Sequence, residues 1–221
     1  MSILPSCFPF HVPRPGRVLI AFRFVLCSKE TDPPNFTGSF YSTTKAPAET
    51  FLRYFPNNLT LRLRMPVSND LNPRSFVTKI LKYPKVVNIP NSHSLLHNLL
   101  PICIAMAEHR ETGVYNFTNP GAISHNEVLG MYRDLVDPSY TWTNFSLEEQ
   151  AGVIKAERSN CELDAGKLLA KVKEYQSEGL DLELPEIHEA YRRCFTTMAQ
   201  SGEVQQKAGV ARPEQAGLPV A

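Results

Sequence analysis

The 221-residue chain is 43% hydrophobic, which allows one good-sized domain with a buried core. Its 23 basic and 22 acidic residues nearly cancel, so no summed electrostatic field points to nucleic acid or an anionic membrane as a partner. The five cysteines are scattered, with no CxxC pair and no histidine at zinc-ligand spacing. We therefore interpret them as reduced thiols of a cytoplasmic protein, and we expect no metal site.

Residues 1–30 are rich in proline and match no recognisable unit. They contain a single glycine, Gly16, and therefore no succession of strand, phosphate-binding turn and helix. The apolar stretch 18–27 (VLIAFRFVLC) is interrupted by Arg23 and is too short to span a bilayer, and no convincing cleavage site follows it. A β-strand is the better interpretation of that stretch, and we expect no membrane association.

Short apolar runs alternate with longer amphipathic stretches over residues 31–198, which predicts an α/β domain with parallel strands. Strands are predicted at 59–65, 86–89 and 114–118. Helices are predicted after Tyr41 and at 74–83, 94–110 and 184–198. Pro101 is expected either to kink the helix at 94–110 or to delay its start. The low hydrophobicity of residues 199–221 predicts a disordered tail.

Helix starts are marked by polar residues that can cap free backbone N–H groups. Ser124 with Glu127, and Ser146 with Glu149, have the spacing of capping boxes. Asp164 precedes a third apolar-periodic stretch in the same way. These signals predict helices that begin close to each of the three caps.

Tyr41 and Lys45, in the sequence FYSTTK, stand four residues apart, so both lie on one face if the segment is helical. An ammonium beside a phenol stabilises the phenolate and lowers the tyrosine pKa from about 10. Such a tyrosine can donate a proton to a carbonyl oxygen that receives hydride. Taken alone, the spacing is more often that of an ordinary amphipathic helix, so the interpretation depends on the surrounding sequence.

Six segments surround and follow this pair in one order: NFTGSFYSTTKAPAETFL, LRLRMPVSNDLN, KVVNIPNSHSLLHNLLPICIAMA, GVYNFTNPGAISHNEVL, WTNFSLEEQ and RSNCELDAGKL. Together they resemble, over roughly residues 32–170, the extended short-chain dehydrogenases/reductases of deoxysugar synthesis. The resemblance is closest to the UDP-4-keto-6-deoxyglucose 3,5-epimerase/4-reductases of UDP-rhamnose synthesis and more distant to dTDP-4-dehydrorhamnose reductases. It implies an α/β fold, an incomplete Rossmann-like doubly wound parallel sheet with a small substrate-binding lobe.

The resemblance also implies an NAD(P)H cofactor, a nucleotide-sugar substrate and roles for individual residues. Tyr41 matches the catalytic acid, and Lys45 matches the residue that lowers its pKa and hydrogen-bonds the nicotinamide ribose. The other residues expected to line the site are Arg64, Met65, Pro66 and Val67 beside the cofactor, and Asn91, Ser92, Trp142 and Arg158 beside the nucleotide sugar.

Each of these secondary assignments has an ordinary structural alternative. Met65 fits a sheet core together with the leucines of its strand, and Asn91 and Ser92 fit a turn. Arg158 fits a surface salt bridge, and Trp142 fits packing within the lobe at least as well as stacking on uracil. Structural roles are also expected of the histidines that stand singly in helical stretches, namely His93, His97, His109, His125 and His188.

The chain departs from this family in two respects. Neither the Gly-rich turn that holds the cofactor pyrophosphate nor the strand before it is found, and Pro47, two residues after Lys45, could break the helix that carries the pair. Three interpretations stay open: a truncated gene model, a shortened chain that works with a partner, and a nonfunctional fragment. An inactive binding module that keeps the substrate lobe, and associates with itself or a partner through an exposed sheet edge, is the alternative to a reductase.

Overall fold

The computed structural model describes residues 17–22, 29–32, 40–146, 148–149 and 162–201. Side chains are not described for 17–22, 40–43, 45 and 46, which leaves out those of Tyr41 and Lys45. Arg158 and residues 202–221 of the expected tail lie outside the described part of the chain.

Strands and helices are interspersed along the described chain as expected for an α/β protein, and helices follow the last strand. In chain order they are β1 (Arg17–Phe22), α1 (Phe40–Leu52), β2 (Asn58–Leu63), β3 (Pro66–Val67), α2 (Phe76–Ile80), β4 (Ser94–Leu95), α3 (Leu96–Glu108), β5 (Gly113–Asn116), α4 (His125–Leu135), α5 (Gly166–Ser177) and α6 (Ile187–Gln200). The first strand overlaps the apolar stretch 18–27, where a strand was predicted, at residues 18–22.

All the described strand pairs in the two sheets are parallel. The larger sheet has the order β1-β2-β5, with Arg17 opposite Asn58 and Leu59 opposite Gly113. The smaller sheet pairs β3 with β4. Because β1 and β2 are adjacent and parallel, the connection that contains α1 returns the chain to the starting edge of the sheet. The N-terminal end of α1 therefore lies toward the edge where the strands end.

The central strand β2 is buried on both faces, and its two faces differ in chemistry. Leu59, Leu61 and Leu63 alternate along one face and are at most 4% exposed. They pack into a hydrophobic core with residues of α3, β5 and α5. The residues between them, Thr60 and Arg62, are each 1% exposed but polar. A polar buried face is unusual in a parallel sheet, whose strands are normally apolar on both sides.

A second hydrophobic core forms the rest of the described fold. It joins β3, β4, α2, α4 and α6, with Val67, Leu95, Leu129 and Phe195 among its buried members. Aromatic edge-to-face contacts tie α4 to α6, as between Tyr132 and Phe195, whose ring centroids lie 5.7 Å apart. The two cores meet where β2 and β5 end.

The structure corrects several sequence-based element boundaries. The strand predicted at 86–89 is wrong, since Val86 makes only an isolated bridge to Asn144. The helix predicted at 74–83 is reduced to α2, because Asn72 and Ser75 form a turn at its start. Pro101 lies inside α3, which begins at Leu96, so the delayed start is not observed. The last helix runs to Gln200 rather than to residue 198.

The predicted caps have the expected hydrogen bonds. Glu127 N donates to Ser124 Oγ (3.3 Å) and Ser124 N donates to Glu127 Oε2 (2.8 Å), which confirms the first capping box. Ser146 and Glu149 exchange the same two bonds. Asp164 Oδ1 accepts from Gly166 N at 2.8 Å, one residue before the assigned cap of α5. The predicted start of α4 is therefore confirmed, whereas the cap of α5 is Ala165 rather than Asp164, and the helix expected after Ser146 is described only at 148–149.

Adjacent leucines in α3 provide a matched test of this packing. Leu99 is fully buried, whereas Leu100 is 48% exposed. We expect Leu99→Ala to lower the free energy of unfolding by about 2–5 kcal/mol, since it leaves a cavity. Leu100→Ala should change it by about 0.5 kcal/mol or less. Urea denaturation of both variants measures the difference, and equal effects would contradict the described orientation of α3.

Candidate active site at the ends of the parallel strands

The expected catalytic pair lies on α1. The helix spans Phe40–Leu52 without interruption, and Pro47 is contained within it. The helix break that Pro47 could have caused is therefore not observed. Pro47 is exposed to solvent, so its missing N–H and its ring lie away from the protein interior. Positions 41 and 45 consequently belong to one helix and share a face of it.

A buried ion pair fixes α1 on the polar face of β2. Arg62 Nη2 donates to Glu49 Oε1 at 2.8 Å, and Arg62 Nε donates to Glu49 Oε2 at 3.2 Å. The two side chains are 1% and 2% exposed. Arg53, one turn further along α1, donates to the same Oε1 at 3.1 Å. A bidentate pair of this kind restrains both the distance and the relative orientation of helix and strand.

The same guanidinium also holds the segment that precedes α1. Arg62 Nη1 donates to the carbonyl of Lys29 at 3.0 Å and Nη2 donates to that of Asp32 at 3.3 Å. Within this segment, Glu30 Oε1 accepts from the backbone N–H of Asn116 in β5 at 2.9 Å. Arg62 is therefore bonded to the chain both before and after the expected catalytic pair.

Helix geometry places that pair relative to the ion pair. Lys45 and Tyr41 precede Glu49 at four-residue intervals on the same face of α1. At the helical rise per residue they lie about 6 Å and about 12 Å further toward the helix N-terminus. Since Arg62 is the next-to-last residue of β2, position 41 lies beyond the end of that strand. Ligands of open α/β sheets bind in this crevice.

The residues expected beside the cofactor follow directly after β2. Met65 adopts a positive φ of 43°, which is rare for a residue other than glycine and often marks a functional or strained turn. It is half-buried, whereas Arg64 before it is 3% exposed. Pro66 and Val67 form β3, and Val67 is fully buried in the second core. Of the four, the structure leaves Met65 and Pro66 partly accessible.

Arg64 is joined to Asn91, one of the residues expected beside the substrate. Arg64 Nη2 donates to Asn91 Oδ1 at 2.5 Å. Asn91 also exchanges two 3.0 Å backbone bonds with Ile123. Ser92 accepts from the backbone N–H of Leu163 at 2.9 Å and donates to the carbonyl of Gly121 at 3.3 Å. The structure thus brings these three expected residues together. Their side chains form hydrogen bonds with other groups of the protein, and a ligand-binding role stays a prediction.

Buried polar residues lie between the two cores, and we call Arg64, Ser94 and Asn119 with their hydrogen-bond partners the polar seam. Ser94 Oγ accepts from the backbone N–H of Arg64 at 3.0 Å and donates to the carbonyl of Phe117 at 2.7 Å. Asn119 Oδ1 accepts from the backbone N–H of Leu95 at 3.0 Å, and its amide donates to the carbonyl of Pro185 at 3.2 Å. These bonds connect the end of β2 to the end of β5 and to the start of α6.

His93 lies at the centre of this seam. Its side chain is fully buried, and Nδ1 is 2.5 Å from the hydroxyl of Tyr191. Burial holds the pKa of His93 well below its ordinary value of 6.5, and the nearby His125 and Arg64 lower this pKa further. Burial likewise raises the pKa of Tyr191 well above its ordinary value. Both groups are therefore neutral at physiological pH, as expected for residues in a core.

Trp142 is not part of this seam and packs against the second hydrophobic core. Its Nε1 donates to Asn126 Oδ1 at 2.9 Å, and Tyr140 stacks on its ring at a centroid distance of 6.3 Å. The guanidinium of Arg133 lies 5.6 Å from the ring centroid. These contacts fit the packing alternative, and stacking on a base stays a prediction. Arg158 lies outside the described residues.

Sequence reasoning missed Glu49 and Arg62, although both carried a signal. Glu49 continues the four-residue spacing of Tyr41 and Lys45, and Arg62 is a charged residue within an otherwise buried strand.

Two absences apply to the described part of the chain. It contains no group of three or more His, Cys, Asp or Glu side chains that could hold a metal ion. None of its helices has the length and apolar character needed to cross a bilayer.

The described residues include positions expected beside one end of a nicotinamide dinucleotide, and binding of that cofactor stays a prediction. The N-terminal half of α1 and the turn at Met65 flank the crevice beyond β2, which suits the nicotinamide and its ribose. A Gly-rich turn between a strand and a helix, which would hold the pyrophosphate, does not occur among the residues that the structure describes. The fit therefore concerns the reacting end of the cofactor.

Comparison with known proteins identifies close relatives, although no protein-family model matches the chain. It is 63% identical over 150 residues to a bifunctional dTDP-4-dehydrorhamnose 3,5-epimerase/dTDP-4-dehydrorhamnose reductase of Arabidopsis thaliana, covering 67% of this chain and 50% of that protein. The crystal structure of the L780 UDP-rhamnose synthase from Acanthamoeba polyphaga mimivirus matches with a TM-score of 0.68 and 41% identity, over 76% of this chain and 56% of that one.

A more distant match supports the fold. A dTDP-4-dehydrorhamnose reductase from Bacillus anthracis, solved in complex with NADP, has a TM-score of 0.60 at 17% identity, over 80% of this chain and 64% of that one. The expected fold class, a Rossmann-like α/β fold with parallel strands, is confirmed. The chain spans about half the length of the two closer relatives.

The buried histidine predicts a particular pH dependence of stability. Because the pKa of His93 is lowered in the folded state, the unfolded chain binds its proton first, and stability falls as pH drops below about 6.5. Replacing His93 with Gln should reduce that slope by up to about 1.4 kcal/mol per pH unit. Urea denaturation between pH 5 and pH 8 measures it, and an unchanged slope would contradict a buried neutral His93.

His188 provides a control of opposite sign. Glu186 and Glu127 raise its pKa, so its contribution is complete below about pH 6.5 and is lost as pH rises through the raised folded pKa. His188→Gln should therefore destabilise the protein more at pH 6 than at pH 9.

Proposed function

Since this chain belongs to the extended short-chain dehydrogenases/reductases of deoxysugar synthesis, we propose that it takes part in the reduction of a 4-keto-6-deoxyhexose nucleotide of the UDP-rhamnose type. The substrate class comes from the relatives, whose names specify dTDP-4-dehydrorhamnose and UDP-rhamnose. The free thiols of Cys103 and Cys194 agree with the proposed cytoplasmic location.

NAD(P)H, when bound, supplies the hydride for the 4-keto carbon. Tyr41 donates a proton to the carbonyl oxygen as that oxygen gains negative charge. Lys45, one helical turn away, stabilises the phenolate that remains and so lowers the tyrosine pKa toward the working pH. Lys45 also serves as a hydrogen-bond donor to the nicotinamide ribose. Met65 and Pro66, the accessible residues after β2, border the same crevice.

The position of α1 carries this proposal. Its N-terminal half projects beyond the end of β2, and Tyr41 and Lys45 share one face of that half. The ion pair between Glu49 and Arg62, at 2.8 Å, fixes the helix in that position.

A nucleotide-sugar binding module without reductase activity is the second candidate. The chain spans about half the length of its relatives. The described chain keeps the second core, with α4 and α6, in which the substrate lobe would reside. In this case a partner or a second copy would pair with the sheet, whose described edges are β1 and β5.

Substitution of the proposed acid tests the first candidate. Tyr41→Phe should lower NADPH-dependent reduction of a UDP-4-keto-6-deoxyhexose by about 10²–10⁴-fold, the usual contribution of a general acid. Tyr54→Phe is the matched control, because Tyr54 lies two residues after the end of α1 and is 81% exposed. Equal activities of the Tyr41 and Tyr54 variants would rule out Tyr41 as the proton donor.

Titration with two ligands separates the candidates. Saturable binding of both NADPH and UDP to the purified chain, measured by calorimetry, is expected for a reductase. Binding of UDP without NADPH would overturn the self-sufficient reductase and support the binding module.

A further inference from the structure

We infer that Glu49 and Arg62 are positioning residues, whose buried bidentate ion pair sets the rotation of α1 and thereby the placement of Tyr41 and Lys45. The inference rests on the proposed roles of that tyrosine and lysine. Neither Glu49 nor Arg62 is assigned a contact with substrate or cofactor.

The geometry of the pair restrains helix rotation. Two nitrogens of Arg62 donate to two different oxygens of Glu49, at 2.8 and 3.2 Å. A one-residue change of helical phase turns a side chain by about 100° around the axis, which would break both bonds. Glu49 is 2% exposed, whereas the neighbouring positions Thr44, Pro47, Ala48 and Thr50 are exposed, so this part of α1 turns Glu49 toward the sheet.

The energetics also favour a positioning role over a purely stabilising one. Burying two charges costs desolvation energy that their attraction repays only partly, so an apolar pair of similar volume can be as stable. An apolar contact, however, permits sliding and rotation that a bidentate pair forbids. The pair therefore contributes orientation that the leucine face of β2 could not provide.

Pro47 makes an external restraint on α1 more important. It lies between Lys45 and Glu49 and cannot donate the backbone hydrogen bond that would join it to Thr43. Helices bend readily at such positions. Arg62 restrains the chain on both sides of this proline, since it binds Glu49 after the proline and the carbonyls of Lys29 and Asp32 before the helix.

The test removes the pair without leaving one charge buried. In the double variant Glu49→Leu/Arg62→Met, we expect backbone amides at 41–46 to exchange hydrogen at least tenfold faster, with α3 unchanged. We also expect the pKa of Tyr41, followed by ¹³C NMR of labelled tyrosine and assigned with Tyr41→Phe, to rise toward its ordinary value. Glu49→Gln, nearly isosteric, is a second variant, and Glu189→Gln, which removes an exposed pair with Arg193 in α6, is the control.

The outcomes separate the inference from the proposed function. A folded double variant with unchanged exchange at 41–46 and an unchanged Tyr41 titration overturns the positioning role, even if its melting temperature falls. A Tyr41 pKa at its ordinary value in the unaltered chain overturns the proposed function instead, while faster exchange in the double variant still supports the anchoring of α1. If the double variant does not fold, exchange and titration of Glu49→Gln decide by the same criteria.

Discussion

The Arg62 guanidinium joins three parts of this protein: the larger sheet, α1 and the segment at residues 29–32. It extends from the central strand β2 to Glu49 of α1 and to the carbonyls of Lys29 and Asp32. The strand can hold a buried arginine because its other face is built from leucines that supply the hydrophobic core. β2 therefore separates two tasks: one face stabilises the fold by burial, and the other orients a helix by directional bonds.

At the boundary between the two cores, the polar seam around Arg64 also contributes directional hydrogen bonds beside apolar packing. Ser94 satisfies backbone groups of Arg64 and Phe117, which directly follow β2 and β5, and Asn119 satisfies the backbone N–H of Leu95 in β4. Such groups would otherwise be buried without hydrogen bonds, which is costly. These bonds therefore connect the second core to the end of the larger sheet.

Sequence patterns predicted the structure most reliably where the interacting residues are close together in the sequence. The capping boxes at Ser124 and Ser146 form as predicted, because a cap and its partner are three residues apart. The apolar run at 86–89 failed as a strand prediction, because burial of Val86 arises from packing against the segment at Asn144 rather than from a sheet. Pro101 did not delay α3, because the buried apolar face of that helix includes Leu99 before the proline.

The sequence by itself determined the four-residue interval between Tyr41 and Lys45 and the apolar face of β2, since spacing and hydrophobic alternation are written along the chain. Only the tertiary structure decided that α1 continues through Pro47, that Glu49 meets Arg62, and that Arg64 reaches Asn91. Those contacts join residues 13 and 27 positions apart. Pairing over such separations depends on how strands and helices pack, which no local pattern specifies.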